Sequence, residues 1–424
     1  MGQPAQRLMP PDEDRHVKDE GAARKKILFI THIYYPSVGG AERVFQRIAE
    51  GLSLRGHAVT VLTSDALSTE QFFTGAHNDL PPYERLNGVW VIRESIRSPL
   101  YRVLKIFDRA GRVTGRLGVF FRPLVFGPHF TRTFREVGRG RFDAVIAGPV
   151  PTSATFYAVF YKGKHPFSHL ILFPHMHTRD RLHTTFVNLW VLRRADHVIA
   201  LSEAEKNYLA RRGVRRKRLF RLVNAVDEPI LQAPKTPAWS DMDYVLYLGQ
   251  EGGHKRIPLL VRAMQSLWDK GLAPGLVIAG ARTNFSPELD RIIGALPAPH
   301  KDKISRFNDI SESRKIALLD NCLVLVNPSS FEAFGLVFLE AWARRKPVIG
   351  ARIDAVREVI RDGENGFLFE DKSVADLEEK IRIILDDRSR AEKMGEAGYE
   401  DVLAKYRWEA VIRRVESVLQ KKFH

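Results

Sequence analysis

A short apolar run, Leu323 to Val326, leads through Asn327-Pro328-Ser329-Ser330 into a stretch, Phe334 to Arg344, that reads as a helix apolar nearly all round. A run of that length without polar alternation suits a strand buried on both faces. The Asn-Pro-Ser-Ser stretch breaks it. A helix carrying Leu336, Val337, Phe338, Leu339, Ala341 and Trp342 offers no side to water, so it is buried as well. The lone carboxylate Glu340 on that helix is costly unless something pairs with it, an Arg or a buried backbone group serving equally. Glu332 falls in the loop before the helix, near the carboxyl end of the strand, where open α/β sheets bind ligands. Gly335 and Leu336 would place backbone N–H groups at the helix N-terminus, an anion site. One acid, an anion site and a second acid a turn further in suit a sugar, a diphosphate and a ribose in series.

The same grammar runs along the chain in two halves. Lys26 to Thr31 predicts a strand, followed by a glycine-containing loop at Gly39-Gly40, a helix through Leu54 and a second strand from Ala58 to Thr63. Strand, loop, helix and strand in that order open a doubly wound sheet. Phe142 to Ala147, Leu170 to Phe173 and His197 to Leu201 predict further strands. A second half restarts at Tyr244 to Gly249, continues with a helix from Ile257 to Asp269, and adds strands at Leu276 to Gly280 and Ile304 to Phe307. No G-x-G-x-x-G spacing follows the first strand, which argues against a nicotinamide cofactor. At 424 residues the chain has room for two domains, each with its own core. The single cysteine, Cys322, permits no disulfide within the chain and reads as a small core residue. No apolar run approaches the roughly 18 residues needed to cross a bilayer.

The Glu-x7-Glu pair Glu332 and Glu340, the Pro328-Ser329 before it, Phe334-Gly335 after the first acid and the trailing Glu340-Ala-Trp-Ala-Arg-Arg-Lys-Pro-Val348 resemble the retaining glycosyltransferases of the GT-B fold. More narrowly they resemble family 4, the glycosyl transferases group 1, and Asp362-Gly-Glu-Asn-Gly-Phe367 is similar to a turn of that family. The resemblance runs from about Lys26 to Leu419 and is weakest from Ala66 to Gly140. It implies two Rossmann-like α/β domains facing each other across a cleft, with a C-terminal helix crossing back to the first. On this reading residues 1–24 are a disordered tail, 25–228 the acceptor-binding domain, 229–240 a linker, 241–400 the nucleotide-sugar-binding domain and 401–424 the returning helix.

The resemblance also implies roles for individual residues. Gly39 and Gly40 would let the backbone approach the donor phosphates, although a Gly-Gly pair is also an ordinary turn. Lys255 would contact the diphosphate, where a fixed cation stabilises the charge that develops as the leaving group departs. The family commonly has an Arg at the position of Gln250, and a neutral amide cannot replace a guanidinium at a phosphate; His254 or Arg256 could compensate. Glu332 would contact donor sugar hydroxyls, Phe334, Gly335 and Leu336 would line the donor site, and Glu340 would accept from the ribose. His175 would stand near the transferred sugar; His177 fits by spacing too, and a metal or plain structural role for His-x-His stays open. Ser202-Glu203 matches another family element, and a helix N-cap explains Ser202 equally well. Asp241-Met-Asp243 is a formal D-x-D placed in the linker and is taken as chance.

Net charge is +16, and much of it is local. From Arg93 to Arg141 there are twelve Arg or Lys against three acids, interleaved with aromatic and aliphatic residues. Basic residues at three- to four-residue steps from Arg102 to Arg116 suit a cationic helix face on an anionic membrane surface. A solvated face or a nucleic-acid patch is the alternative, and no nucleic-acid motif supports the latter. The combined expectation is a retaining, metal-independent hexosyltransferase using no cofactor. It would act in the cytoplasm at the inner face of the cell membrane, moving sugar from a nucleotide diphosphate donor to a glycan or lipid-linked acceptor. A catalytically silent partner subunit and a nucleotide-sugar 2-epimerase are the other readings.

Overall fold

The structure, a computed structural model, describes residues 23–37, 39–74, 78–96, 127–130, 132–176, 183–237 and 243–421. The chain divides into two compact units, Met1–Leu222 with Val411–His424, and Val223–Ala410.

In the first unit the strands are β1 (Lys26–Thr31), β2 (Ala58–Ser64), β3 (Tyr83–Leu86), β4 (Val89–Glu94), β5 (Ala144–Gly148), β6 (His169–Leu172), β7 (His197–Ala200) and β8 (Leu219–Arg221), mostly buried apolar runs apart from the polar β3. They form one sheet in the order β3-β4-β2-β1-β5-β6-β7-β8. All neighbours are parallel except β3 and β4. That pair is a hairpin closed by Asn87-Gly88, both at positive φ (49° and 82°), the two-residue turn whose twist matches its strands. The first strand and the helix Gly40–Leu54 follow the sequence reading, and the other expected strands shift by one or two residues. Chain order reverses around β1, which lies between β2 and β5.

The second unit repeats the plan with β9 (Tyr244–Leu248), β10 (Gly275–Ala279), β11 (Ile304–Phe307), β12 (Val324–Asn327), β13 (Val348–Ala351) and β14 (Phe367–Phe369). Its order is β11-β10-β9-β12-β13-β14, all parallel. Here the reversal lies at β9, between β10 and β12. The helix after β12 spans Leu336–Ala343, two residues shorter at its start than Phe334 would give, because Gly335 is left-handed (φ 96°). A Cβ on Gly335 would also fall 2.7 Å from the Phe338 ring, so this position requires glycine.

Residues 229–240, expected as a linker, fall inside the second unit as far as they are described, through Pro237. Glu228–Gln232 is a helical turn. The Arg344 guanidinium donates to the carbonyls of Ile230, Ala233 and Pro234 at 2.9, 2.7 and 3.2 Å, while Asp320 accepts from Thr236 N at 2.9 Å. The boundary therefore lies at Leu222, ahead of this stitching. At the other end the helix Arg388–Lys405 runs through position 401, and only from Val411, inside the helix Trp408–Leu419, does the chain group with the first unit. There Glu416 pairs with Arg55 at 2.8 Å and meets His57 at 3.1 Å.

Candidate active site

Open α/β sheets place ligands beyond the carboxyl ends of the strands where chain order reverses. In the second unit that point lies between β9 and β12. Their two loops are tied together. Ser330 donates to the His254 carbonyl from both its N–H (2.8 Å) and its Oγ (3.0 Å), and the rings of His254 and Phe331 stack at 4.8 Å. Across this junction the Lys255 ammonium donates to Glu332 Oε1 at 2.6 Å, and Asn327 Nδ2 donates to the same oxygen at 3.0 Å. Burial works to raise the Glu332 carboxyl, but Lys255 and hydrogen bonds from Lys255, Ser329 and Asn327 outweigh it and hold it below its ordinary value. Glu332 is therefore a carboxylate at neutral pH, beside a fixed cation.

Phe334, Gly335 and Leu336 follow directly, with Phe334 buried and Gly335 at the helix N-terminus. The first-turn amides of any helix lack intrahelical acceptors and favour negative charge. One turn into that helix, Glu340 is 9% exposed and bonds Lys315 Nζ at 2.8 Å. Lys315 comes from the helix Glu312–Asn321 and also pairs with Glu312 at 2.8 Å. The partner that burial demanded for Glu340 is thus a lysine. Burial would lower the Lys315 ammonium, but its two acids raise it above the ordinary value.

Gln250 is exposed, just past β9, and its carbonyl accepts from Tyr247 Oη at 2.8 Å. Neither neighbour offers a ready replacement cation. Burial and the adjacent Lys255 lower the His254 imidazole, leaving it neutral at pH 7, and Arg256 is engaged by Asp371. The next residue, Glu251, is buried and takes a paired hydrogen bond from Arg306 Nη2, 2.7 Å to each oxygen.

Gly39, Gly40 and His175 belong to the first unit. Gly39 caps the helix Gly40–Leu54 with ordinary extended backbone (φ −67°), so no left-handed geometry demands glycine here. A Cβ at Gly39 would fall 2.0 Å from Glu42 Oε2. His175, just past β6, has φ 47° and is buried against Phe45 and Phe173, ring centroids 5.7 and 6.4 Å away. Its loop is pinned on both sides: Val150 N donates to the Pro174 carbonyl at 3.0 Å, and Met176 N donates to Glu205 Oε1 at 2.9 Å. Ser202 is an N-cap, accepting from Glu205 N at 3.1 Å.

Three residues missed in the sequence complete the picture. Asn327 holds Glu332, Glu205 pins the His175 loop, and His32 follows β1, stacked on Phe72 and 3.5 Å from Glu42. Position just past a buried strand was the available signal for His32 and Asn327; nothing local marks Glu205. His177 and Asp241 lie outside the described residues, and Asp243 pairs with Arg388 at 2.6 Å. Of the basic Arg93–Arg141 segment, residues 97–126, with the proposed helix face, also lie outside them, as does the tail through residue 22. Arg93 itself is not on a cationic surface: it is buried, pairs with Glu84 and donates to the carbonyls of Pro81 and Tyr35. Among the described residues no helix is long and apolar enough to cross a membrane.

Comparisons with known proteins bear on the family and the fold. Residues 232–401 match the family described as glycosyl transferases group 1, and residues 39–225 match the glycosyl transferase 4-like domain. An uncharacterized glycosyltransferase of Methanocaldococcus jannaschii is 25% identical over 93% of this chain and 97% of its own length. A second from the same organism is 26% identical over 54% of this chain, a match spanning 60% of that relative, less than two-thirds of its length. Anabaena HepE, solved in complex with UDP and glucose, superposes with a TM-score of 0.69 at 18% identity, covering 93% of this chain and 99% of that one. The chain therefore belongs to the family 4 glycosyltransferases, the glycosyl transferases group 1, and carries their GT-B fold.

Proposed function

We propose that the protein is a retaining hexosyltransferase that moves a sugar from a nucleotide diphosphate donor to a hydroxyl of a glycan or lipid-linked acceptor. The observation that carries this reading is the Lys255–Glu332 pair, held at 2.6 Å across the β9 and β12 loops. An incoming diphosphate competes with Glu332 for the Lys255 ammonium. Once the ammonium turns to the phosphate, Glu332 has capacity to accept from donor sugar hydroxyls. The Gly335–Leu336 amides add positive potential on the same side. A carboxylate can accept at about four lone-pair sites, so the Lys315 bond at Glu340 Oε1 is compatible with two ribose hydroxyls.

In the step itself the bond from the sugar's anomeric carbon to the β-phosphate oxygen breaks. The acceptor hydroxyl oxygen bonds to that carbon from the same face, and its proton passes to the leaving phosphate. Lys255 and the helix amides stabilise the departing charge; the family resemblance would give His175 a role at the transferred sugar. No resident metal or cofactor is invoked. HepE, which shares the fold, has been solved with UDP and with glucose, which supports a nucleotide-sugar donor. The cationic, aromatic segment Arg97–Arg141 supports an acceptor at the inner membrane surface, with the enzyme peripherally bound there from the cytoplasm.

Incubation with labelled nucleotide sugars and a lipid extract tests the reading. The expected result is label in the organic phase, in a product whose anomeric configuration matches the donor's. Inversion would overturn the retaining mechanism. A new nucleotide sugar formed without acceptor would show an epimerase instead, and absence of turnover with every donor a silent subunit.

A further inference from the structure

A second charged site lies in the first unit at the amino ends of the strands, away from the carboxyl ends where His32, Gly39 and His175 sit. His169 opens β6, His197 opens β7 and Phe220 lies within β8. Beside them is a cavity of about 630 Å³, within the size range of small-ligand sites. Its lining holds five cations, Lys162, Arg215, Lys217, Arg218 and Lys421, against the single carboxylate Asp196. Asp196 is already used: Lys162 pairs with it at 2.8 Å and Leu170 N donates to it at 2.8 Å. The same Lys162 donates to the carbonyls of Pro166 and Ser168.

The walls are fixed. Arg218 donates to the carbonyls of Ala195 (3.1 Å) and Arg193 (3.3 Å), and Lys421 sits 4.1 Å over the Phe220 ring. His169 and His197 contact each other at 2.5 Å. Burial lowers both imidazoles, His169 to about 4, and Lys421 and Arg218 push His197 in the same direction, so both are neutral at pH 7. The sequence supplies the excess of charge: Arg211-Arg-Gly-Val-Arg-Arg-Lys-Arg218 has six cations in eight residues and no acid. Like charges gathered this closely repel one another unless an anion joins them.

We propose that this pocket binds a phosphate group, carried by the headgroup of an anionic phospholipid or free in solution. Arginine forks and lysine ammonium groups match phosphate oxygens. Phe167, on the lining and 97% exposed, gives the site an apolar rim of the kind that enters the headgroup region of a bilayer.

The test compares the full-length protein with the Arg215→Glu/Lys217→Glu variant, both positions being exposed. Each is sedimented with phosphatidylcholine vesicles with and without phosphatidylglycerol, and titrated with inorganic phosphate and pyrophosphate. Loss of anionic-vesicle binding by roughly tenfold or more in the variant assigns a lipid-borne phosphate. Loss confined to the soluble anions assigns free phosphate. Equal binding of all probes by both proteins would overturn the site. An Arg215→Gln/Lys217→Gln variant with an unchanged melting temperature reads the same difference should charge reversal disturb folding.

Discussion

The two units share a doubly wound plan and differ in how they hold charge. The second unit pairs its buried charges across the sheet's loops and helices: Lys255 with Glu332, Lys315 with Glu340, Arg306 with Glu251 and Arg344 with Asp320. The first unit also pairs Arg93 with Glu84 and Glu416 with Arg55, but it buries histidines at its strand ends, His32, His169, His175 and His197, and leaves cations in excess at the amino ends of β6 to β8. A paired cation and carboxylate at a reversal point can exchange partners when an anionic ligand arrives, without leaving a bare charge in a low-dielectric site. Imidazoles packed on aromatic rings offer no such exchange. They shape a surface instead. On the function proposed above, the difference suits donor chemistry in the second unit and leaves the first to recognise something more variable.

The largest expected break in this contrast is Lys255→Ala. Removing the cation should lower turnover by roughly 10²–10³-fold, the scale of losing one charge-stabilising donor. It also strands Glu332, whose carboxyl should then titrate higher. Normal turnover in a steady-state assay would mean the diphosphate is held elsewhere.

Acid should separate the units next. The folded His169 pKa of about 4 lies below the ordinary 6.5, so the unfolded chain takes up a proton first as pH falls. Stability from the buried neutral ring is full above pH 6.5 and is lost between 6.5 and about 4; the size is on the order of 2–3 kcal/mol. Glu332, with a lowered carboxyl pKa, keeps its contribution down to its ordinary value of 4.5 and loses it only as pH falls through its folded value. Urea unfolding at stepped pH should therefore weaken the first unit before the second. A simultaneous loss, or the same early loss persisting in a His169→Gln variant, would contradict the contrast.

Glu340→Gln should weaken nucleotide-sugar binding about tenfold, since a neutral amide accepts less well from ribose hydroxyls. Unchanged affinity by calorimetry would remove its ribose role. The smallest effect belongs to Gln250→Arg, which restores the guanidinium common in the family. A gain in nucleotide diphosphate affinity of about threefold, on the scale of an exposed charge pair, would place residue 250 beside the phosphates. No gain would place it outside them.

Much of the second unit was legible because β9, β10 and β12 are buried apolar runs bounded by glycine and proline, and because Glu332 and Glu340 stand out against apolar surroundings. Their partners were less legible. Lys315 lies 25 residues before Glu340 on a separate helix, a proximity only the sheet order creates. The Asn87-Gly88 hairpin was readable from turn chemistry and was overlooked. The linker reading failed because prolines at 229, 234 and 237 suggest a loose strap, whereas Arg344, more than a hundred residues on, holds the carbonyls of that stretch. Glu205 was invisible for a related reason: it looks like a surface helix residue until Met176 N and Leu201 N converge on it.

The most direct test of the central claim is a thermal-shift titration of the wild-type protein and Lys255→Ala with nucleotide diphosphates and their sugars. Selective stabilisation of the wild type by one nucleotide sugar, diminished in the variant, is the predicted result. If no nucleotide sugar stabilises the wild type at millimolar concentration, or if the variant responds equally, the Lys255–Glu332 pair is not the donor site.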